Sequence, residues 1–203
     1  MSSNRGILYV VSGPSGAGKG TICKALLEKR DDVVMSVSAT SRAPRPGEVE
    51  GVHYFFLSEA EFEKRIRAGQ MLEHAAFCGN YYGTPKAFVE EKLAAGINVI
   101  LEIEVQGAMK VRAEHPEGVY IFVLPPSMKE LRARLIGRGT EPKEVVEERL
   151  KTAAWEFGHI QKYNYILLND DIEKAVERFS GIMDAERCRT ERNIEFIEEV
   201  CKK

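Results

Sequence analysis

The sequence lacks the features of a membrane-spanning or secreted protein. No apolar run approaches the roughly 20 residues that cross a bilayer, and the N-terminus has no apolar stretch of signal-peptide length. Its four cysteines, Cys23, Cys78, Cys188 and Cys201, are widely spaced without a CxxC pair, which argues against a zinc knuckle or a redox motif. These absences predict a cytoplasmic protein with reduced thiols and no membrane contact.

The sequence also lacks the excess of basic residues that binding to nucleic acid usually requires. Its 29 lysines and arginines are outnumbered by 31 aspartates and glutamates, so the net charge is −2. Without a general positive field, no DNA or RNA partner is expected. The length of 203 residues suits one domain with a buried core, or one core with a mobile insertion.

Apolar runs of strand length alternate with segments of helical period along most of the chain. The runs at 7–11, 33–37, 99–103, 119–124 and 165–168 predict buried strands. Between them lie amphipathic segments, which predict helices. This alternation is typical of an α/β fold built on a central, mostly parallel sheet.

Several positions mark helix starts. Ser58 and Ser127 each precede a glutamate by three residues, as in a capping box. Thr84 before Pro85 fits an N-cap followed by proline in the first helical position.

Two segments interrupt the alternation. The first, at about 38–84, is rich in tyrosine, phenylalanine and glycine, and predicts a small β-rich insertion with short strands at 53–57, 72–78 and 81–82. The second, at about 137–142, lies between two predicted helices, and its glycines predict a hinge.

A glycine-rich segment directly follows the first predicted strand. Its glycines let several backbone N–H groups point at one anion, and the helix that follows adds the positive end of its dipole. Lys19 then reaches the β- and γ-phosphates of a nucleoside triphosphate. The pattern departs from the strict phosphate loop at Gly20, where serine or threonine is usual. The candidate ATP-binding residues of this loop are Gly13, Pro14, Ser15, Gly16, Ala17, Gly18, Lys19, Gly20 and Thr21.

A second phosphate site is indicated by Arg42 and Arg45. Pro44 and Pro46 stiffen the segment, so the two guanidinium groups present a fork to one phosphate. Tyr54 and Tyr82 can add hydroxyl donors. Taken alone, the segment fits a solvated basic loop beside ordinary core tyrosines equally well.

The order of these motifs resembles the guanylate kinase family. The glycine-rich loop, the block Arg42-Ala-Pro-Arg-Pro-Gly-Glu48, and Glu73 with Asn80-Tyr-Tyr-Gly-Thr84 all fall in the family's order. So do Leu101-Glu-Ile-Glu-Val-Gln-Gly107 and the arginines near residue 134. The resemblance covers about residues 5–185.

The resemblance implies a phosphate-loop (P-loop) NTPase type of fold, with a parallel sheet flanked by helices, a small β-rich GMP-binding insertion and a helical lid. The core would comprise about 5–37, 85–130 and 160–185. The insertion would span about 38–84 and the lid about 131–158. A charged C-terminal helix would occupy 186–203.

The resemblance also implies the acceptor site. Ser38 and Thr84 would donate to guanine O6, and Glu73 would accept from N1–H and the exocyclic amine. Guanine presents these groups on one edge, whereas adenine has no N1–H or N2 amine and would leave a buried carboxylate unpaired. The implied GMP-binding residues are Ser38, Arg42, Arg45, Tyr54, Glu73, Tyr82, Thr84 and Glu102.

Glu102 and Glu104 follow a predicted strand, and their spacing places both on one face near the phosphate loop. A carboxylate there can contact Mg²⁺ or guanine N2. The family often has aspartate where this chain has Glu104, and the longer side chain favours contact through water. Thr21 and Glu104 are the candidate metal residues, directly or through water. A pair of structural carboxylates bonded to arginines is the alternative.

Arg134 and Arg138 are four residues apart and share one helical face, and Arg149 lies on the next predicted helix. Converging arginines suit phosphoryl transfer because charge spreads over the migrating group. A solvated charged helix would show the same pattern. The resemblance assigns this region to the ATP lid and Asn169 to the adenine side. The candidate catalytic residues are Lys19, Arg42, Arg134, Arg138 and Arg149.

The expected function is Mg²⁺-dependent transfer of the ATP γ-phosphoryl group to GMP, with dGMP as a further acceptor and no obligatory protein partner. The rival from another class is a non-catalytic guanylate-kinase-like module that binds proteins. A kinase for another monophosphate such as AMP, and a general P-loop ATPase or GTPase, are further alternatives.

Overall fold

The computed structural model describes residues 5–77, 79–137 and 143–202. Strands and helices alternate over these residues. The strands are β1 (Leu8–Ser12), β2 (Val33–Met35), β3 (Ala39–Thr40), β4 (Phe55–Phe56), β5 (Met71–Phe77), β6 (Asn80–Pro85), β7 (Asn98–Glu102), β8 (Val119–Leu124) and β9 (Tyr165–Leu168). The helices are α1 (Lys19–Leu27), α2 (Glu59–Arg67), α3 (Lys86–Ala94), α4 (Val105–Glu114), α5 (Met128–Gly137), α6 (Lys143–Phe157), α7 (Ile172–Arg187) and α8 (Ile194–Cys201).

The larger sheet has five strands in the order β2-β7-β1-β8-β9, and every neighbouring pair is parallel. β1 lies at its centre, with Val10 opposite Leu101 on one side and opposite Tyr120 on the other. A strand covered by helices on both faces is apolar throughout rather than alternating, which explains the continuous apolar runs. The prediction of an α/β fold on a parallel sheet is confirmed.

Helices cover both faces of this sheet. On one face α1 and α7 pack over Tyr9 and Val11 of β1, and the Phe179 ring meets the Tyr9 ring edge-on at 6.0 Å. On the other face α3 and α4 pack over Leu8 and Val10. The two faces of one short strand therefore anchor four helices.

The smaller sheet has four strands in the order β4-β3-β6-β5. β3 and β4 are parallel, and the other pairs are antiparallel. Its core is Ala39, Phe62 and Met71, and α4 packs against β5 to join it to the larger sheet. β4, β5 and β6 lie where the sequence predicted short strands, although Cys78 is outside the described residues and β6 continues to Pro85.

The predicted helix starts are right at two positions and wrong at a third. The hydroxyl of Ser58 accepts from the N–H of Glu61, and that of Ser127 accepts from the N–H of Glu130. Thr84 does not cap a helix, because it belongs to β6 and α3 begins after Pro85 without a side-chain cap. Strand pairing with β5 holds Thr84 extended and directs its hydroxyl elsewhere.

α5 and α6 pack against each other through Leu131, Leu135, Val146, Leu150 and Ala153. The predicted hinge lies almost wholly at residues 138–142, outside the described residues. None of the helices in the described part of the chain has both the length and the apolar character to cross a membrane.

Candidate active site

The glycine-rich loop connects β1 to α1, and two of its glycines cannot be replaced without a clash. A Cβ on Gly13 would lie 2.4 Å from the carbonyl oxygen of Val123, and one on Gly18 would lie 2.2 Å from Nδ2 of Asn169. Both also adopt positive φ, 141° and 92°. The loop is therefore pressed against β8 and the end of β9, which hold its shape.

Lys19 occupies the first position of α1 and is buried. Its Nζ donates to the carbonyl oxygens of Gly13 at 2.5 Å and Pro14 at 3.3 Å. Within the described residues no carboxylate lies within ion-pair distance of this ammonium. The positive charge of Lys19 is therefore available to an anion bound by the same loop.

Asn169 and two arginines hold the loop from outside. The Asn169 side-chain amide donates to the carbonyl of Ala17 at 2.7 Å, so it supports the loop in this structure. Arg134 on α5 donates to the Asn169 carbonyl at 3.1 Å, and Arg149 on α6 donates to Ser15 Oγ at 2.6 Å. Both predicted lid arginines in the described residues therefore reach the loop or its support. Arg138 lies outside the described residues.

Glu102 explains why glycine stands at position 20. A Cβ on Gly20 would lie 3.2 Å from Oε2 of Glu102, so the loop backbone passes close to that carboxylate. A serine or threonine side chain would compete for this space. Burial raises the pKa of Glu102, and Glu104 raises it further, while the Lys19 ammonium opposes both effects.

A third carboxylate, Glu156, was not found from the sequence. It lies on α6, is only 3% exposed and lies near Glu104. Burial and the neighbouring Glu104 raise the pKa of Glu156 to about 7, and Lys19 opposes them. Only helical periodicity could have indicated that Glu156 is buried, because it follows the buried Ala153 by three residues.

Several oxygen atoms of the metal-ligand type therefore lie near Lys19. Thr21, Glu102, Glu104 and Glu156 all line the same cavity. Within residues 5–77, 79–137 and 143–202, no three histidine, cysteine, aspartate or glutamate side chains form a complete metal-binding group. The hydroxyl and carboxylate oxygens are nevertheless the donor type that Mg²⁺ prefers.

The proposed acceptor-phosphate residues form one cluster on the smaller sheet. The Arg42 guanidinium lies 5.5 Å from the ring centre of Tyr54, and the Tyr54 and Tyr82 rings meet edge-on at 6.2 Å. Glu48, which the sequence argument did not use, accepts from Arg42 at 2.8 Å and from the Arg45 backbone N–H at 2.7 Å. It holds the turn between the two arginines. Tyr54 and Tyr82 line the cavity, whereas the arginine side chains lie outside its lining.

The proposed base-recognition residues meet between β5 and β6. The Thr84 hydroxyl donates to Oε1 of Glu73 at 2.9 Å, and Oε2 would lie 3.2 Å from a Cβ on Gly107. Burial raises the pKa of Glu73, against the hydrogen bond from Thr84 and the charge of Lys110. Ser38 lines the cavity beside them, and Thr84 lines an adjoining cavity of about 240 Å³.

One cavity of about 840 Å³ connects the phosphate loop with these base-recognition residues. Its volume falls in the range of small-molecule sites. The loop forms one end, and Glu73 and Tyr82 form the other. α4 and α6 supply the wall between them.

Comparison with known proteins agrees with this geometry. Residues 5–186 match a family model described as guanylate kinase. The chain belongs to the guanylate kinase family. A guanylate kinase of Clostridium perfringens is 57% identical over 190 residues, covering 94% of this chain and 88% of the relative. One of Desulfitobacterium hafniense is 54% identical over 192 residues, covering 95% and 96%.

A solved structure also belongs to this family. The crystal structure of guanylate kinase from Anaplasma phagocytophilum matches with a TM-score of 0.73 and 38% identity, covering 93% of this chain and 90% of that one. The guanylate kinase resemblance inferred from the sequence motifs is confirmed. Membership of a family of nucleotide kinases also favours the enzyme over the non-catalytic module.

Proposed function

We propose that the cavity binds ATP at the phosphate loop and GMP at the smaller sheet, and that the γ-phosphoryl group passes directly between them. The observation that supports this most strongly is the continuity of the cavity from Lys19 to Glu73. The chain is an ATP:GMP phosphotransferase, as its family membership indicates.

On the donor side, the loop amides and Lys19 would hold the ATP phosphates. Arg149 would move from Ser15 to the transferring group, and Arg134 would act from α5, with Arg138, outside the described residues, as a further positive group. Such fixed positive groups stabilise the charge that develops in phosphoryl transfer. Asn169 would keep its supporting role beneath the loop.

On the acceptor side, Arg42, Arg45, Tyr54 and Tyr82 would hold the GMP phosphate, with Glu48 keeping the two arginines in place. Closure of the insertion would bring Arg42 and Arg45, which lie outside the cavity lining, towards the bound phosphate. Ser38, Thr84 and Glu73 would recognise the guanine edge, and Glu102 would approach its N2 amine.

The acceptor oxygen belongs to a phosphate that is ionised near neutral pH, so no general base is required. Catalysis would rest on positioning the two phosphates in line and on neutralising their charge. Exclusion of water by the lid would prevent hydrolysis of ATP.

Mg²⁺ fits this site as a companion of ATP. Thr21 and Glu104 would hold it directly or through water, with Glu102 close by. Its chemical contribution would be to neutralise phosphate charge.

The decisive experiment measures ADP formation from MgATP with GMP, dGMP, AMP, CMP or UMP offered separately. Turnover with GMP and dGMP alone is expected. Turnover with AMP instead would overturn the assignment of Glu73, and GMP binding without turnover would support the non-catalytic module.

Replacement of Lys19 tests its role in catalysis separately from binding of the acceptor. Lys19→Met should lower kcat by at least about 100-fold, the usual cost of losing one such positive or donor group. Lys29→Met, an exposed lysine just beyond the end of α1, is the matched control and should leave kcat unchanged. Equal activity of the two variants would contradict the role of Lys19.

We also propose the cytoplasm as the compartment, and no protein partner is required for the reaction.

A further inference from the structure

Lys110 lies one helical turn from the point where α4 meets Glu73. Gly107 faces Oε2 of Glu73, and Lys110 follows Gly107 by three residues on the same face of α4. Its Nζ donates to the backbone carbonyl of His74 at 3.1 Å, next to Glu73 in β5. Lys110 and Glu73 both line the main cavity.

The charge of Lys110 reaches Glu73. Burial raises the pKa of Glu73, and the ammonium of Lys110 lowers it, as does the hydrogen bond from Thr84. The same ammonium, together with burial, lowers the pKa of His74. The positive charge of Lys110 on α4 therefore acts to lower the pKa values of two neighbouring residues, Glu73 and His74.

Among the described residues, the other elements place no comparable charge on Glu73. β6 contributes the neutral Thr84 to this carboxylate. On α2, the third element against β5, Glu61 pairs with Arg65 and Glu63 pairs with Arg67. Among the described residues, Lys110 is the charged side chain that acts on Glu73.

Ionisation of Glu73 matters because of the chemistry of guanine. The N1–H and the N2 amine are both donors, and an ionised carboxylate accepts from both. A protonated carboxyl group would turn one acceptor into a donor that faces another donor. Charge-assisted hydrogen bonds are also roughly twice as strong as neutral ones.

We propose that Lys110 strengthens guanine binding by placing its ammonium near Glu73, so that this buried carboxylate stays ionised and accepts two hydrogen bonds from the base. Lys110 is a positioning residue that acts through Glu73. The inference rests on the proposed function, because it requires Glu73 to bind guanine.

The experiment compares Lys110→Met, which keeps length but loses charge, with Lys110→Arg, which keeps charge. Steady-state kinetics from pH 5.5 to 8.5 give KM for GMP, KM for MgATP and kcat. In Lys110→Met the acid limb of kcat/KM for GMP moves to higher pH, with KM for GMP about two- to fivefold higher near pH 6, as expected for one partly exposed charge. Lys110→Arg keeps the original profile, and KM for MgATP and saturating kcat at pH 8 do not change.

NMR titration of His74 tests the placement of the charge independently of activity. The pKa of His74 rises in Lys110→Met and stays low in Lys110→Arg. A wild-type enzyme that phosphorylates GMP, combined with an unmoved acid limb or an unmoved His74 titration in Lys110→Met, overturns this inference and leaves the function standing. A wild-type enzyme without GMP turnover, with His74 still shifting, refutes the proposed function instead.

Discussion

Glu73 brings a carboxylate into the cavity, where the Thr84 hydroxyl donates to one oxygen and Gly107 leaves space beside the other. With hydrogen in place of a side chain, Gly107 makes the close approach of α4 to β5 possible. At the scale of single residues, the proposed acceptor choice would thus depend on a buried carboxylate, a hydroxyl and a glycine from three elements.

Glu73→Gln tests this arrangement with almost no change in volume. One acceptor oxygen becomes a donor that faces the donors of guanine, and the charge is lost. We expect KM for GMP to rise by on the order of 100-fold, about 2.7 kcal/mol, with KM for MgATP unchanged.

Glu59→Gln, at an exposed position of α2, is the matched control. Steady-state kinetics with each substrate varied in turn provide the measurement. A Glu73→Gln enzyme with wild-type KM for GMP would show that guanine is recognised elsewhere.

At the scale of elements, Asp32 joins the end of α1 to α7 and β7. It accepts hydrogen bonds from Arg30, Asn98 and Arg187. Arg30 also bonds Ser180 and Asp184 of α7, so one polar cluster fixes the helices on this face of the larger sheet.

The Arg30 guanidinium beside Asp32 holds the pKa of that carboxyl below its usual value, with Arg187 acting in the same direction against partial burial. A lowered pKa in the folded state adds stability above the unfolded pKa of about 3.9, and this stability is lost as the pH falls through the folded value. We therefore expect Asp32→Asn to lower the free energy of unfolding at pH 7 by about 1–3 kcal/mol. The difference should shrink as the pH falls below the unfolded value of about 3.9.

Urea unfolding at pH 7, 5 and 3 measures this effect. Asp31→Asn, the exposed neighbour, is the control and should change stability by less than about 0.5 kcal/mol. A loss in Asp32→Asn that is the same at all three pH values would indicate lost packing rather than lost charge pairing.

Elements differ in how well the sequence predicts them. β1, β7, β8 and β9 lie within one residue of their apolar runs, because strands buried on both faces carry a continuous signal. The smaller sheet gives a weaker signal. β3 and β4 have two residues each, and Thr84 resembles a helix cap although strand pairing determines its conformation.

The site divides in the same way. The phosphate loop and the residues around Glu73 could be proposed from the sequence, since anion binding and guanine recognition require particular residue types at particular spacings. Glu48, Lys110 and Glu156 could not, because their roles come from contacts across the fold. A lone lysine on a helix or a glutamate in a charged segment has no distinguishing pattern.

At the scale of the whole molecule, stability depends on the packing around the central strand. Phe179 of α7 is fully buried against Tyr9 of β1, whereas Phe196 of α8 is 53% exposed. Phe179→Ala should lower the free energy of unfolding by about 3–5 kcal/mol, because it leaves a cavity in the larger core.

Phe196→Ala removes the same atoms from the surface and should cost less than about 0.5 kcal/mol. Urea unfolding of both variants provides the comparison. Similar losses of unfolding free energy in the two variants would mean that Phe196 is not exposed in solution, because α8 packs there against another surface.

The central position of β1 also determines when the enzyme can take shape during synthesis. Of the nine described strands, β1 is made first, but its partners β7 and β8 lie between residues 98 and 124. At about 5–20 residues per second, the nascent chain waits roughly 6–25 s before both neighbours have been made. Until Val123 and then Asn169 have been synthesised, the nascent chain contains the complete nucleotide-binding motif. It lacks the residues that pack against the loop and hold its shape.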